Sequence, residues 1–265
     1  MNPTLEPREV ERPFIGRWLR TSLALIVRSP VQFGLLIVLL VCFDNAIVDV
    51  AGGLRVAKLW SNAFGALLLG LIWVFIAALA RGADDTSRVW SAFAQLLRVR
   101  VWAGALVSTA GAAAFNFVVG WVLDGATGLH YSNPVPFPQH PGDVVAAIAR
   151  NSAIFTVFFK PFYFPLLALI PDIPPRLARS LSMSAARKNG TVAILLGVGI
   201  VVVSAAALAE IVPLFGLTEA LAVVFVGVFN YVAYRDVFER RDTNVPQAVK
   251  KAPEILSRPA PSRTA

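Results

Sequence analysis

The chain has 265 residues, of which 57% are hydrophobic and 15% are charged, and its formal net charge is +8. The sequence contains six long apolar runs, and these exclude a soluble fold of this length, because the helices of a soluble protein need a polar face. Membrane topology and attraction to anionic headgroups explain the high pI of about 10.2 better than nucleic-acid binding does.

Each of the six apolar runs is about long enough to cross roughly 30 Å of hydrocarbon at about 1.5 Å per residue. In chain order the runs are Val31–Val50, Asn62–Ala80, Val101–Leu123, Ile154–Ile170, Thr191–Ala209 and Phe215–Tyr234. The sequence therefore predicts an all-α integral membrane fold with six transmembrane helices. Residues 13–242 form the membrane domain, between a flexible cytoplasmic tail over 1–12 and a disordered cytoplasmic tail over 243–265.

A short Arg-bearing segment precedes each pair of predicted spans. These segments are Phe14–Val27, Val89–Val99 and Ile173–Asn189. Each is predicted to be an amphipathic elbow helix in the cytoplasmic headgroup plane. The recurrence predicts a threefold helix-hairpin repeat, although basic cytoplasmic loops also occur in any membrane protein with an even number of spans. In the third segment, Pro175 favours a helix start and Asn189 a helix end.

Of the 24 basic residues, 20 lie in the two terminal segments and in the second and fourth connections, which alternate to the same predicted side of the membrane. Because cytoplasmic loops carry excess Lys and Arg, both termini are predicted to be cytoplasmic. Membrane lipids with anionic headgroups are the predicted partners, and the same rim also suits a membrane-protein partner or a second copy of the chain. The candidate headgroup contacts are Arg17, Arg20, Arg98, Arg100, Arg187, Lys188 and Arg235.

Polar residues inside the apolar runs form a second candidate site. Lys160 lies near mid-bilayer, where a charge is costly and needs a partner or a wet cavity. Asp44 and Asn45 lie in the first span and Asn116 in the third. These residues are the basis for a transporter hypothesis, whereas the alternative is that Lys160 snorkels to the surface or forms a fixed ion pair.

Motifs for catalysis are missing from the sequence. It has no Ser/His/Asp set, no metalloprotease helix pair and no phosphate-binding glycine loop. His130 and His140 are the chain's histidines, and their spacing is not that of metal ligands. We therefore predict no enzyme, no metal site and no cofactor, with a membrane-embedded lipid enzyme as the weakest of three hypotheses.

Two stretches carry a family resemblance. They are FFKPFYFPLLALIPDIPPRLARSLSMSAARKN, Phe158–Asn189, and NYVAYRDVF, Asn230–Phe238. Together they resemble an uncharacterised family of six-span bacterial inner-membrane proteins, loosely similar to the membrane domain attached to some glycerophosphodiester phosphodiesterases. The resemblance implies the fold and a location in the bacterial inner membrane, and it implies no catalytic residues.

The leading functional hypothesis is a non-enzymatic inner-membrane protein that engages lipid or stabilises a membrane assembly. The three elbow helices and the basic cytoplasmic rim motivate it. The alternative is a transporter or exporter of small molecules or lipids, with a polar site around Lys160.

Overall fold

A computed structural model describes residues 6–10, 13–51, 55–86, 89–127, 162–191 and 217–239. Within these ranges the protein is all-helical, with no strand. The helices are α1 (Ile15–Arg28), α2 (Pro30–Ala51), α3 (Arg55–Asp84), α4 (Val89–Leu96), α5 (Val99–Thr127), α6 (Tyr163–Leu169), α7 (Pro175–Lys188) and α8 (Leu217–Tyr234). A π-helical turn, Arg235–Glu239, continues α8. The predicted all-α class is confirmed.

Helix α3 lies at the centre of the described structure and contacts α1, α2, α4, α5, α6 and α8. Two glycines allow neighbouring helices to pack closely against α3. A Cβ on Gly70 would lie 2.6 Å from Cγ2 of Thr109 on α5, and a Cβ on Gly227 of α8 would lie 2.7 Å from Cγ2 of Ile76. Thr109 also donates its hydroxyl to the Leu67 carbonyl at 2.9 Å. Small residues thus bring α5 and α8 against α3, as they do in closely packed helix pairs.

The chain turns sharply between α1 and α2, by 92°. Ser29 ends α1, and its N–H is bonded to the Ile26 carbonyl at 3.3 Å. Pro30 then opens α2, because its missing N–H costs nothing in the first turn of a helix. One helix therefore lies across the direction of the next, as expected of an elbow that precedes a span.

Helices α1 and α7 share one pattern of burial. Both have 14 residues, and in each the fourth, eighth and eleventh residues are buried. The buried residues are Trp18, Ser22 and Leu25 in α1, and Ala178, Ser182 and Ala185 in α7. The fourth and eighth residues of α4, Ala92 and Leu96, are buried too. The three predicted elbows are therefore helices that present equivalent positions to the core.

The last turns of α1 and α7 also match. Ser29 follows α1 with φ −129° and ψ 56°. Asn189 follows α7 with φ −118° and ψ 52°. Each helix ends in a basic residue, Arg28 or Lys188, which suits the negative end of the helix dipole.

One helix among the described residues, Ala220–Glu239, is long and apolar enough to cross a membrane by itself. The bent pair Ile15–Arg28 and Pro30–Cys42 satisfies the same criterion when taken together. These one or two helices give a weak indication of membrane association. Much of Ile154–Ile170 and nearly all of Thr191–Ala209 lie outside the described residues, as do residues 243–265, so the six-span count stays a prediction.

Candidate functional site

A group of charged and aromatic residues lies where the end of α3, the start of α1 and the π-helical turn meet. We name it the latch cluster. It consists of Arg17, Trp18, Arg81, Asp84, Tyr231, Tyr234, Arg235, Asp236 and Glu239. The contacts join residues far apart in sequence, and they tie α1, α3 and α8 together.

Asp84, at the end of α3, accepts three hydrogen bonds in the latch cluster. Nη1 of Arg235 lies 2.5 Å from its Oδ1 and 2.6 Å from its Oδ2. The hydroxyl of Tyr231 donates to Oδ2 at 3.0 Å. Charge-assisted hydrogen bonds of this kind are about twice as strong as neutral ones, so Asp84 joins α3 firmly to α8.

The π-helical turn supplies the other two carboxylates. Asp236 lies 2.5 Å from Nη2 of Arg17 and accepts the indole N–H of Trp18 at 2.8 Å. Glu239 pairs with Arg81 and accepts the hydroxyl of Tyr234 at 3.1 Å. Each arginine of the latch cluster therefore has a carboxylate partner, and the charges balance within the cluster. The cluster therefore has no surplus positive charge for an outside anion, and removing one partner of a partly buried pair would leave the other charge uncompensated.

The segment 6–10 crosses the end of α7 and reaches the π-helical turn. Asn189 accepts the N–H of Val10 at 2.9 Å and donates to the Arg8 carbonyl at 2.8 Å. Lys188 pairs with Glu6 at 3.0 Å. The Arg8 N–H reaches the Val237 carbonyl at 3.1 Å. The ammonium group of Lys188, a candidate headgroup contact, thus already has a carboxylate partner within the chain, Glu6.

A second charged group lines an open groove between the α4–α5 turn and the α6–α7 turn, which we name the α4–α7 groove. Its residues are Gln95, Arg98, Arg100, Val101, Leu167, Ile170, Asp172 and Ile173. Arg98 pairs with the Asp172 carboxylate. Nη1 of Arg100 lies 3.9 Å from Oδ1 of Asp172 and donates to the Asp172 carbonyl at 3.3 Å. The groove thus holds two cations and one anion.

Asp172 differs from the other carboxylates in backbone and exposure. Its φ is 57°, in the left-handed region, which Asp and Asn adopt more readily than most residues. Its side chain is 67% exposed. The hydrogen bond from Arg98, the positive charge of Arg98 and that of Arg100 hold the pKa of Asp172 below its ordinary value. The carboxylate is therefore charged at neutral pH and open to solvent.

The remaining predicted headgroup contacts, Arg20 and Arg187, are exposed on α1 and α7. No carboxylate of the described chain forms an ion pair with either side chain. Arg17 and Arg235, by contrast, belong to the latch cluster. The structure thus divides the seven predicted cations into paired and unpaired ones, a distinction that the sequence does not make.

The predicted intramembrane site is described only in part. Lys160 lies outside the described residues. Asp44 and Asn45 belong to α2, and Asn116 belongs to α5, as expected for residues within spans. The grouping of these four residues into one site therefore stays a prediction.

Sequence reasoning missed the carboxylates on which both charged groups depend. Asp84, Asp172, Asp236 and Glu239 were not predicted as site residues. A signal was present for Asp236, which lies in the Tyr-Arg-Asp segment at the end of the last predicted span. Asp84 lies shortly after the second predicted span, and this position alone could have suggested a partner for Arg235.

Comparisons of the chain with protein-family models, with curated proteins and with solved structures find no match. The resemblance to the six-span bacterial family therefore stays a prediction.

Proposed function

We propose that the protein is a non-enzymatic, six-span protein of the bacterial inner membrane that engages lipid headgroups at the cytoplasmic surface. Helix α1 carries this proposal, because its surface divides into three faces with different chemistry. One face is buried in the protein, one is apolar and exposed, and one is basic and exposed. An amphipathic helix at a membrane interface turns its apolar face to the acyl chains and its basic face to the headgroups.

The buried face fixes α1 against the last helix. Trp18 is 1% exposed, and its ring centroid lies 5.7 Å from that of Phe229 on α8. Ser22 is fully buried and returns its hydroxyl to the Trp18 carbonyl at 2.8 Å. The orientation of α1 is therefore set by packing, and its other two faces are held outward.

Exposed apolar residues recur every four positions along α1, and the pattern continues in α2 after the bend between the two helices. On α1 it consists of Ile15, Leu19, Leu23 and Val27, and on α2 it continues with Val31, Leu35, Val38 and Leu39. Burial of apolar surface is worth about 25 cal/mol per Å², so water is an unfavourable neighbour for so continuous a strip. Lipid chains around α2, and the upper acyl region beneath α1, are favourable neighbours.

The basic face of α1 carries Arg20 and Arg28, both exposed. Neither pairs with a carboxylate among the residues that the structure describes. Attraction of a cation to an anionic membrane surface is worth about 1 kcal/mol per residue. Lipid phosphate is thus the natural partner for this face.

The shared register of α1, α4 and α7 supports the threefold repeat of elbow and helix hairpin. Equivalent positions of the three helices face the core, and α1 and α7 end in the same backbone conformation. Three such units account for six spans and for a cytoplasmic rim of elbows. The transporter alternative depends on Lys160, for which no contact is described, so it stays a prediction.

The proposal is tested by native mass spectrometry of the protein extracted with its surrounding lipids in polymer nanodiscs. We expect a stoichiometric phospholipid to stay bound to the wild-type chain. The double variant Arg20→Gln/Arg28→Gln should lose anionic lipid, whereas the charge-keeping control Arg20→Lys/Arg28→Lys should retain most of it.

Two results would contradict the proposal. One is release of the wild-type chain without any stoichiometric lipid or partner. The other is an identical lipid complement in the Gln and Lys variants, because charge on α1 would then have no role in lipid binding.

A further inference from the structure

The α4–α7 groove has a charge pattern that a lone phosphate does not complete. Its two arginines and one carboxylate leave one surplus positive charge. An anion on Arg98 and Arg100 would balance that surplus. It would leave Oδ2 of Asp172 without a donor, because the described hydrogen bond from Arg98 to this carboxylate ends on Oδ1.

Gln95 lines the groove, and its side-chain oxygen is buried without a hydrogen-bond partner within the described chain. Burial keeps this oxygen out of reach of a ligand in the groove. The acceptor that a ligand can reach is therefore the carboxylate of Asp172.

Asp172 offers an exposed acceptor in the groove. The described hydrogen bonds to its carboxylate end on Oδ1, with Arg98 as donor, and no donor in the described ranges contacts Oδ2. The side chain is 67% exposed, so a ligand can reach it. Asp172 therefore presents an exposed carboxylate oxygen, which can accept a charge-assisted hydrogen bond from a primary ammonium group.

The residues around the groove indicate where its ligand comes from. Trp90, Leu97 and Val99 are 84%, 85% and 80% exposed. Leu97 and Val99 alternate in sequence with Arg98 and Arg100. An exposed apolar side chain beside each cation fits the boundary between acyl chains and headgroups, where the apolar side chain enters the hydrocarbon and the cation reaches phosphate.

We propose that the α4–α7 groove binds the headgroup of an aminophospholipid, with its phosphate on Arg98 and Arg100 and its primary ammonium on Asp172. This inference rests on the proposed lipid-engaging function and narrows it to one class of headgroup. A phosphoethanolamine group brings a phosphate for the two arginines and an ammonium with three N–H donors for Asp172, so each charged end of the headgroup meets an opposite charge in the groove. The trimethylammonium of a choline headgroup has the same charge and no N–H donor, so it provides a matched comparison.

The test is lipid competition on the full chain in nanodiscs, read by native mass spectrometry. Dioleoyl phosphatidylethanolamine, phosphatidylcholine and phosphatidylglycerol would be supplied in equal amounts, so that only the headgroups differ. We expect phosphatidylethanolamine to be retained over phosphatidylcholine by roughly fivefold to tenfold, the ratio that one or two hydrogen bonds to a charged group provide.

The variant Asp172→Asn removes the carboxylate without removing the cations. It keeps the size of the side chain and tolerates positive φ, so the α6–α7 turn should fold. It should reduce the preference for phosphatidylethanolamine over phosphatidylcholine to below about twofold. The control Ser180→Ala, which changes an exposed residue of α7 outside the groove, should leave that preference unchanged.

Equal retention of the two zwitterionic lipids by the wild-type chain would overturn the inference. So would an ethanolamine preference that survives in Asp172→Asn, or displacement of phosphatidylethanolamine by phosphatidylglycerol. In each of these results lipid is still bound, so the proposed function stands while the headgroup assignment fails. If no lipid is retained at all, the proposed function itself fails.

Discussion

The latch cluster and the α4–α7 groove both pair arginines with carboxylates, but they differ in exposure and in balance. In the latch cluster the paired side chains range from 9% exposed for Asp236 to 40% for Arg17. In the groove they range from 43% for Arg98 to 67% for Asp172. The latch cluster has an acceptor for each arginine, whereas the groove has two arginines for one carboxylate.

This difference separates a structural role from a binding role. Removing one partner of a buried ion pair leaves an uncompensated charge, which is strongly destabilising. An exposed pair in water is worth about 0–1 kcal/mol, so a ligand can take the place of either partner at little cost. We therefore expect changes in the latch cluster to alter stability and changes in the groove to alter lipid selectivity.

The largest effect is expected from Asp84→Ala, which leaves Arg235 and the Tyr231 hydroxyl without their acceptor. We expect a loss of roughly 2–3 kcal/mol in the free energy of unfolding, less than for a fully buried pair because both side chains are partly exposed. Thermal unfolding in detergent would measure it. The double variant Asp84→Ala/Arg235→Ala should lose less than the sum of the single losses. Strictly additive losses would mean that the contact between them is not stabilising.

A smaller loss is expected from Asp236→Ala, because the buried indole N–H of Trp18 then has no acceptor. The expected cost is about 1–2 kcal/mol, measured by the same thermal unfolding. Asp236→Asn is the matched control, since its amide oxygen can still accept from Trp18. If the two variants unfold at the same temperature, the hydrogen bond to Trp18 is not what stabilises α1.

No measurable change in the unfolding temperature is expected from Asp172→Asn, because this carboxylate is exposed and its ion pairs are screened by solvent. The same variant should change the lipid preference of the groove. A clear drop in unfolding temperature would place Asp172 among the structural carboxylates and remove the contrast with the latch cluster.

The smallest effect is expected from mild acid. The pKa of Asp172 is held below its ordinary value of 3.8 by the hydrogen bond and charge of Arg98. Its contribution is therefore present above that value and is lost only as the pH falls below it. The preference for phosphatidylethanolamine should stay constant from about pH 7 to about pH 5. A preference lost within that range would point to a different titrating group.

Local signals in the sequence predicted the elbow helices well. The predicted segment Phe14–Val27 corresponds to α1 within one residue at each end, since the apolar period and Pro30 define it. Pro174 and Pro175 define the start of α7, and Asn189 defines its end. The second elbow is shorter than predicted, because α4 ends at Leu96 and α5 begins at Val99, before the predicted span.

The pairing of charges could not be predicted in the same way. Arg235 and Asp84 are 151 residues apart, and nothing in local periodicity relates them. The π-helical turn changes the angular positions of Asp236 and Glu239 relative to an α-helix, so a helical pattern would misplace both side chains. Burial of the Gln95 oxygen depends on packing between distant turns, which composition does not reveal.

The central claim, that the elbow helices lie on the cytoplasmic side of a multi-pass membrane protein, is tested most directly by labelling single cysteines in intact cells. Cys42 is the chain's one cysteine, so Cys42→Ser gives a clean background. Ser180→Cys lies on the exposed surface of α7, and Ser132→Cys lies in the predicted exterior connection between the third and fourth spans. A membrane-impermeant maleimide should label the cysteine at position 132 in intact spheroplasts, and the cysteine at position 180 only after permeabilisation. Labelling at position 180 in intact spheroplasts would contradict the account.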